Sequence, residues 1–280
     1  MNLKNFIKIS NELGSKSAFI QGGGGNTSLK ITTNEMYIKS SGSKLKEMNE
    51  NHGFCKIDYT KIINLLNNPV SNKSDYENIL KKLSDTEFRP SIETGFHAIL
   101  GRGVIHSHSV FLNVLLCSVE GKEISKKLFP QAIWCEYFSP GWDITLSIHN
   151  KINELNLDID STQVFFLQNH GVIFSCSDVS EALELHNKYN QKVLKNLKFA
   201  SYENYQAIDH DLPIIFPDQA VFSKSNKEPE NIKAAEYIFE TIHNNGLQPK
   251  TLTEKNIEDI LGLDSEQYRI SLHGNNLSQN

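Results

Sequence analysis

Arg102-Gly103-Val104-Ile105-His106-Ser107-His108 reads as a strand that runs into a pair of histidines. Side chains two apart on a strand point to one face, so His106 and His108 can grip one ion together. A third histidine stands in the turn Asn169-His170-Gly171, between two strand-forming runs at 163–168 and 172–176. A carboxylate, Glu93, precedes His106 by thirteen residues. Three histidines and a nearby carboxylate can build a catalytic zinc-type site. Neutral imidazole is a favoured ligand for zinc, and three protein ligands leave one position for water or substrate. Each piece also has a plainer reading. An H-x-H pair arises by accident on surfaces and in cores, and Asn-His-Gly is often only a turn.

Outward from the strand, Val110-Phe111-Leu112-Asn113-Val114-Leu115-Leu116 reads as a buried helix, with a second strand as the alternative. On the other side, Arg89-Pro90-Ser91-Ile92-Glu93 reads as a helix start, with Ser91 as N-cap and Glu93 in the first turn. A first-turn glutamate is favoured by the helix dipole whether or not it does chemistry. His97 lies four residues after Glu93 and would share its helix face. His52, His149, His186, His210, His243 and His273 show no ligand spacing and read as structural or solvated.

A further stretch is Gln21-Gly22-Gly23-Gly24-Gly25-Asn26-Thr27-Ser28-Leu29-Lys30. Four glycines put no side chain between backbone N–H groups and a ligand, a composition suited to an anion, or to a flexible linker. It is not a P-loop, which needs Gly-Lys-Ser/Thr, nor a dinucleotide loop, which needs a last glycine where Thr27 stands. Ser40-Ser41-Gly42-Ser43-Lys44, after the strand-like Met36-Tyr37-Ile38-Lys39, could form a second wall of the same site.

Taken in order, Gly24-Gly25-Asn26-Thr27-Ser28, Ser41-Gly42, Pro90-Ser91-Ile92-Glu93, His106-Ser107-His108 and Asn169-His170-Gly171 resemble the class II aldolase/adducin family over roughly residues 1–205. The four-glycine form and Arg89-Pro90-Ser91-Ile92-Glu93-Thr94 most resemble the aldolase half of bifunctional rhamnulose-phosphate aldolase/dehydrogenase proteins. Phe216-Pro217-Asp218-Gln219-Ala220-Val221-Phe222 resembles a segment after that half. The resemblance implies an α/β fold whose central, mostly antiparallel sheet has nine strands, with helices on both faces. It implies His106, His108 and His170 as ligands of Zn2+, with Mn2+ or Co2+ as alternatives. Glu93 would be the acid/base and a possible fourth ligand. Gly25, Asn26, Thr27, Ser41, Gly42 and Ser91 would hold a substrate phosphate. Sugar-phosphate aldolases often carry two serines before the glutamate; here Ile92 replaces the second. Tyr137 is the nearest match to a tyrosine that a neighbouring subunit lends for the aldehyde oxygen.

The implied activity is aldol cleavage or formation of a ketose 1-phosphate, giving dihydroxyacetone phosphate and an aldehyde. Epimerisation, decarboxylation or dehydration at the same site are the alternatives, as is an adducin-like interaction module without catalysis. A homo-oligomer, by resemblance a tetramer, is implied.

Composition bounds the rest. The 280 residues are 39% hydrophobic and 22% charged, an ordinary globular balance. A net charge of -5 with mixed signs gives no basic footprint for nucleic acid. No leader-like N-terminus and no 18-residue apolar run is present, which predicts a soluble cytoplasmic chain without a membrane role. Cys55, Cys117, Cys135 and Cys176 lack ligand spacing and read as reduced, buried thiols. Residues 3–13 form an amphipathic helix, and strand-rich sequence follows to about residue 58. The Asn/Lys/Ser-rich residues 68–86 read as an exposed insertion. Asp178-Val179-Ser180-Glu181 opens a long helix to about Lys198. After about residue 206 an irregular stretch precedes helices near 230–244 and 253–262. Residues 206–280 thus form a C-terminal extension that packs on the core, covers the site or meets another subunit.

Overall fold

The computed structural model describes residues 2–68, 72–84, 88–209, 211–222 and 228–277, with side chains described to Leu272. In chain order the elements are α1 (Leu3–Gly14), β1 (Asn26–Lys30), β2 (Glu35–Lys39), β3 (Phe54–Asp58), α2 (Thr60–Leu66), α3 (Lys73–Leu83), α4 (Thr94–Ile99), β4 (Gly103–Ser107), α5 (Val110–Leu116), α6 (Gly121–Leu128), β5 (Ile133–Cys135), α7 (Trp142–Glu154), β6 (Gln163–Leu167), β7 (Gly171–Cys176), α8 (Val179–Asn196), α9 (Pro217–Phe222), α10 (Pro229–Asn244), α11 (Glu254–Leu261) and α12 (Asp264–Leu277).

The strands make one sheet in the order β3-β2-β1-β4-β7-β6-β5. Every pairing is antiparallel except β5 with β6, which is parallel. The nine-stranded, mostly antiparallel sheet is therefore corrected to a seven-stranded mixed sheet among the described residues. The strand between α6 and α7 is the source of the mixed character: β5 aligns with β6 after a helical crossover rather than a hairpin.

Helices cover both faces, which is why the central strands read as unbroken apolar runs. Leu29, Ile105, Phe166, Val172 and Phe174 pack under α1, α5 and α8. The alternate residues Val104, Phe165, Leu167 and Ile173 meet Phe96, Ile144 and Ile148 of α4 and α7. The helical reading of 110–116 holds. It begins at Ser109, whose hydroxyl accepts the Leu112 N–H.

Residues 72–84 differ from the expected exposed insertion. Asn72 and Asp75 form a reciprocal capping box, and Tyr76, Leu80 and Leu83 bury one face of α3. The Tyr76 hydroxyl donates to the Ile92 carbonyl at 2.5 Å and accepts the Gly95 N–H at 2.8 Å, so this helix supports the loop that carries Glu93. Residues 69–71 and 85–87 of that stretch, His210 and the His273 side chain lie outside what is described.

The start of α4 is also displaced. The Ser91 N–H donates to the Lys39 carbonyl at 3.0 Å, and the Ser41 N–H donates to the Arg89 carbonyl at 2.7 Å. Residues 89–91 are thus held extended against the end of β2, and the helix begins at Thr94 with Glu93 at its N-cap position.

The segments after residue 206 pack on the same chain. Ala234, Tyr237, Ile238 and Ile242 of α10 lie against Val110 and Val114 of α5. Asn169, at φ +53, binds this region through its amide, which donates to the carbonyls of Ile215 (2.9 Å) and Lys250 (2.6 Å). Among the described residues no helix is long and apolar enough to cross a membrane. All four cysteines are free and buried.

Candidate active site

Register places the first two components side by side. Asn26 of β1 pairs with His106 of β4, so both project toward the α4 face of the sheet. His108 follows the strand end, and the His108 N–H donates to the Phe19 carbonyl at 3.0 Å. His170 enters from the three-residue turn joining β6 to β7, where Leu167 pairs with Gly171. Gly171 is required by close approach: a Cβ there would fall 2.4 Å from the Ser107 carbonyl oxygen and 3.0 Å from the His108 ring.

The three imidazoles converge. One ring nitrogen of each of His106, His108 and His170 lies within 4.8 Å of the others, and all three residues are buried. The His106 Nδ1–H donates to the Val172 carbonyl at 3.0 Å, which leaves Nε2 as the free lone pair. That Nε2 faces His108 Nε2 at 3.0 Å. On the far side of His108, Asp218 Oδ2 lies 3.0 Å from Nδ1. A carboxylate behind a ligand imidazole fixes its tautomer and raises its basicity.

Glu93 completes the group. Its Oε1 lies 3.1 Å from His170 Nε2 and its Oε2 lies 3.4 Å from His106 Nε2. Burial raises the pKa of this carboxyl, but the imidazoles of His106 and His170 outweigh burial and hold it well below the usual range. Burial lowers the His106 pKa to about 3, against the pull of Glu93, so its ring is neutral near pH 7. A charged carboxylate beside the neutral His106 ring is the protonation state that a divalent cation needs.

Asn26 positions Glu93. Its Nδ2 donates to Glu93 Oε2 at 2.7 Å and to Ser91 Oγ at 3.2 Å. Its Oδ1 accepts from His97 Nε2, whose Nδ1 in turn accepts from the Ser28 hydroxyl at 2.7 Å. His97 is thus a satisfied core histidine one step behind Glu93. Burial, with His106 nearby, lowers its pKa to about 3.

A pocket opens onto this group. Gly25, Asn26, Ser41, Gly42, Ser91, Glu93, His108 and His170 line it, together with Lys39, Asp218, Glu266 and Arg269. Thr27 does not reach it, since its hydroxyl is bonded to Ser10 of α1 at 2.7 Å on the opposite sheet face. Tyr137 does not reach it within the chain either: its ring packs with the cluster of Ile214, Phe222, Leu252 and Ile260.

Four residues escaped the sequence reading. Lys39 donates to the Gly23 carbonyl at 2.8 Å, and burial, with Arg269 nearby, lowers its pKa to about 7. Asp218, Glu266 and Arg269 come from the C-terminal extension. A signal existed for two of them. Asp218 stands in the quoted 216–222 segment, and Arg269 is one of only three arginines in a lysine-rich chain.

Two buried polar atoms here have no hydrogen-bond partner: His170 Nδ1 and Arg269 Nη2. Buried polar groups are normally paired, so their clustering marks a place made for something polar. Three convergent imidazoles with an adjacent carboxylate suit a zinc-type divalent cation.

The sequence profile of the Class II Aldolase and Adducin N-terminal domain matches residues 4–191. The chain belongs to the class II aldolase and adducin family. A relative from Bacillus subtilis (strain 168), described as "Uncharacterized oxidoreductase YuxG", is 28% identical over 178 residues. That alignment takes in 59% of this chain but only 25% of the relative, so the chain spans about a quarter of its length. The N-terminal class II aldolase domain of a conserved protein from Thermoplasma acidophilum shares the fold. It has a TM-score of 0.60 and 24% identity, covering 70% of this chain and 93% of that one. A sugar-phosphate aldolase from Thermotoga maritima gives a TM-score of 0.49 at 16% identity, covering 69% and 93%.

Proposed function

We propose that the protein is a divalent-metal-dependent aldolase acting on a small sugar phosphate, with a ketose 1-phosphate, dihydroxyacetone phosphate and an aldehyde as the reacting species. The observation that carries this reading is the convergence of His106, His108 and His170 with Glu93 in one buried pocket. A non-catalytic interaction module has no need of such a group.

His106, His108 and His170 would hold the ion, zinc by the chemistry of the donors, with Glu93 as a further ligand before substrate arrives. When bound, the ion supplies Lewis-acid polarisation of a carbonyl oxygen. Glu93 moves the proton at the neighbouring carbon. It accepts that proton when the bond is being made and returns it after the bond has broken. Asn26 holds the carboxylate in place for that transfer. Gly25, Asn26, Ser41, Gly42 and Ser91 form the wall that binds phosphate, which sets the reacting carbons beside Glu93. A role for Tyr137 requires a neighbouring copy of the chain, as would an oligomer of the kind the family resemblance implies.

Two measurements test the reading. Purified protein should carry about one divalent ion per chain, and His106→Ala, His108→Ala or His170→Ala should each release most of it. Full occupancy in all three variants would remove the site assignment. A panel of ketose 1-phosphates should include one that releases dihydroxyacetone phosphate; a metal-loaded protein that cleaves none of them is not this aldolase.

A further inference from the structure

Part of the pocket wall is built from the C-terminal extension, through Asp218, Glu266 and Arg269. Gly42 sits at φ +76, and a Cβ added to it would fall 2.5 Å from Leu272 of α12. Helix α12 therefore lies directly over the Ser41-Gly42 turn. From that helix Arg269 reaches the pocket, with its ring-facing side over Phe222 at 5.1 Å.

Only one edge of this guanidinium is used. Nη1 donates to Glu266 Oε2 at 2.9 Å and Oε1 at 3.1 Å, and lies 3.0 Å from Asp218 Oδ1. Nη2 is buried with no hydrogen-bond partner. The rigid fork of arginine matches the oxygens of phosphate and carboxylate. A fork clamped at Nη1, with Nη2 unpartnered, on a residue that lines the pocket is set to receive a further oxyanion.

The glycine loop is less free than its composition suggests. The Gly22 N–H donates to Glu230 Oε2 at 2.6 Å, and the Gly24 N–H donates to the Gln21 carbonyl at 2.9 Å. Two of the amides that would cradle an anion are thus met within the chain. Gly24 instead makes room: a Cβ there would fall 2.5 Å from Asp218 Oδ2 and 2.9 Å from His108 Nδ1. The positive charge for an anionic substrate then falls to side chains, and among the described residues Lys39 and Arg269 are the two cationic ones lining the pocket. Against them stand Glu93, Asp218 and Glu266. At formal charge these side chains sum to one negative, and a divalent ion reverses the sign.

We infer that Arg269 of α12 is the specificity residue for the substrate's anionic end, its free guanidinium edge donating to a phosphate oxygen in the metal-loaded pocket. This rests on the sugar-phosphate reading above and assigns recognition to a residue outside the matched family region.

The test compares metal-loaded wild type, Arg269→Lys, Arg269→Gln and Glu266→Gln by calorimetric titration with dihydroxyacetone phosphate and with dihydroxyacetone. Loss of a charge-assisted hydrogen bond predicts that Arg269→Gln weakens dihydroxyacetone phosphate by about 10- to 100-fold and leaves dihydroxyacetone within about twofold. Arg269→Lys should recover part of the loss, since it keeps the charge without the fork. Glu266→Gln loosens the same ion pair but keeps the guanidinium, so it should spare the phosphate preference. Melting temperature and metal content identify any variant whose tail has come away. Arg269→Lys, the milder change, carries the test in that case. Equal loss for both ligands in the Arg269 variants, or the same loss in Glu266→Gln, would show that Arg269 only anchors α12 and would overturn the inference. The outcome is separable from the aldolase reading. Phosphate preference lost in Arg269→Gln by a protein that cleaves no ketose phosphate upholds Arg269 and removes the aldolase. Cleavage that survives with phosphate preference intact in both Arg269 variants does the reverse.

Discussion

At Glu93 two opposing effects meet, and geometry decides between them. Desolvation alone would neutralise a carboxyl this deeply buried, yet the contacts from Asn26 at 2.7 Å and from His170 at 3.1 Å favour its ionised form, and its pKa lies well below the usual range. Glu93→Gln preserves shape and removes the proton carrier. It should retain metal and fold while lowering turnover by ~10²–10⁴-fold. Solvent deuterium exchange into dihydroxyacetone phosphate should fall in step, and survival of both exchange and cleavage would reduce Glu93 to a helix cap. Asn26 is expected to act through this carboxylate rather than through phosphate alone, because its Nδ2 is spent on Glu93 and Ser91. A hydrogen bond to a charged group contributes about 1.5–3 kcal/mol. Asn26→Ala should therefore lower kcat by roughly 10- to 100-fold on any substrate, phosphorylated or not. A change confined to the KM of phosphorylated substrates would place Asn26 on the phosphate instead.

Among the elements, those with strong periodicity were legible in advance. The β4, β6 and β7 runs are apolar on both sides because both faces are covered, and α1, α5 and α8 carry clear stripes and caps. Helix α3 was misjudged because Asn, Lys and Ser dominate its composition. The better signals were the Asn72–Asp75 box and the spacing of Tyr76, Leu80 and Leu83. The helix expected at Ser91 starts later because residues 89–91 pair with β2, a tertiary effect invisible in the local sequence. The nine-strand count came from the family resemblance, not from residues. Helix α12 was missed for a different reason. Its inward face carries Glu266 and Arg269, so a helix that serves the site lacks the apolar stripe of one that serves the core. The contact between the glycine loop and α9 gives a test at this scale. Gly24→Ala would push Asp218 off His108, and loss of such an outer-shell partner typically weakens metal 10- to 100-fold. A chelator competition titration should show that loss with an unchanged circular dichroism spectrum. Unaltered affinity would mean that Asp218 does not support His108.

For the whole molecule, the same burial that readies the site makes the fold acid-sensitive. His97, His106 and His186 are fully buried, and desolvation is the first cause that lowers each pKa from 6.5 to about 3. In the unfolded chain these rings take up protons as the pH falls below about 6.5. In the folded chain they stay neutral until about pH 3. Between those limits the unfolded state binds more protons, so stability is full above about pH 6.5 and is lost progressively on acidification. Glu93 acts in the same direction, because its folded pKa is depressed. Glu266 opposes it, because burial raises its pKa. Each buried imidazole contributes on the order of 1.4 kcal/mol per pH unit within the window, and a domain can spare only about 5–15 kcal/mol in all. His186 separates the fold from the metal site. It is bonded to Ser107 at 2.9 Å and packed edge-on against Phe19 and Phe174, behind the sheet rather than in the pocket. Metal-free protein should lose melting temperature steadily from pH 6.5 to pH 4.5. His186→Gln should flatten that slope by about one proton's worth even if it lowers the melting temperature at pH 7.5. A melting temperature constant across this range, or a slope unaltered in His186→Gln, would show that the buried histidines do not set the acid limit of the fold.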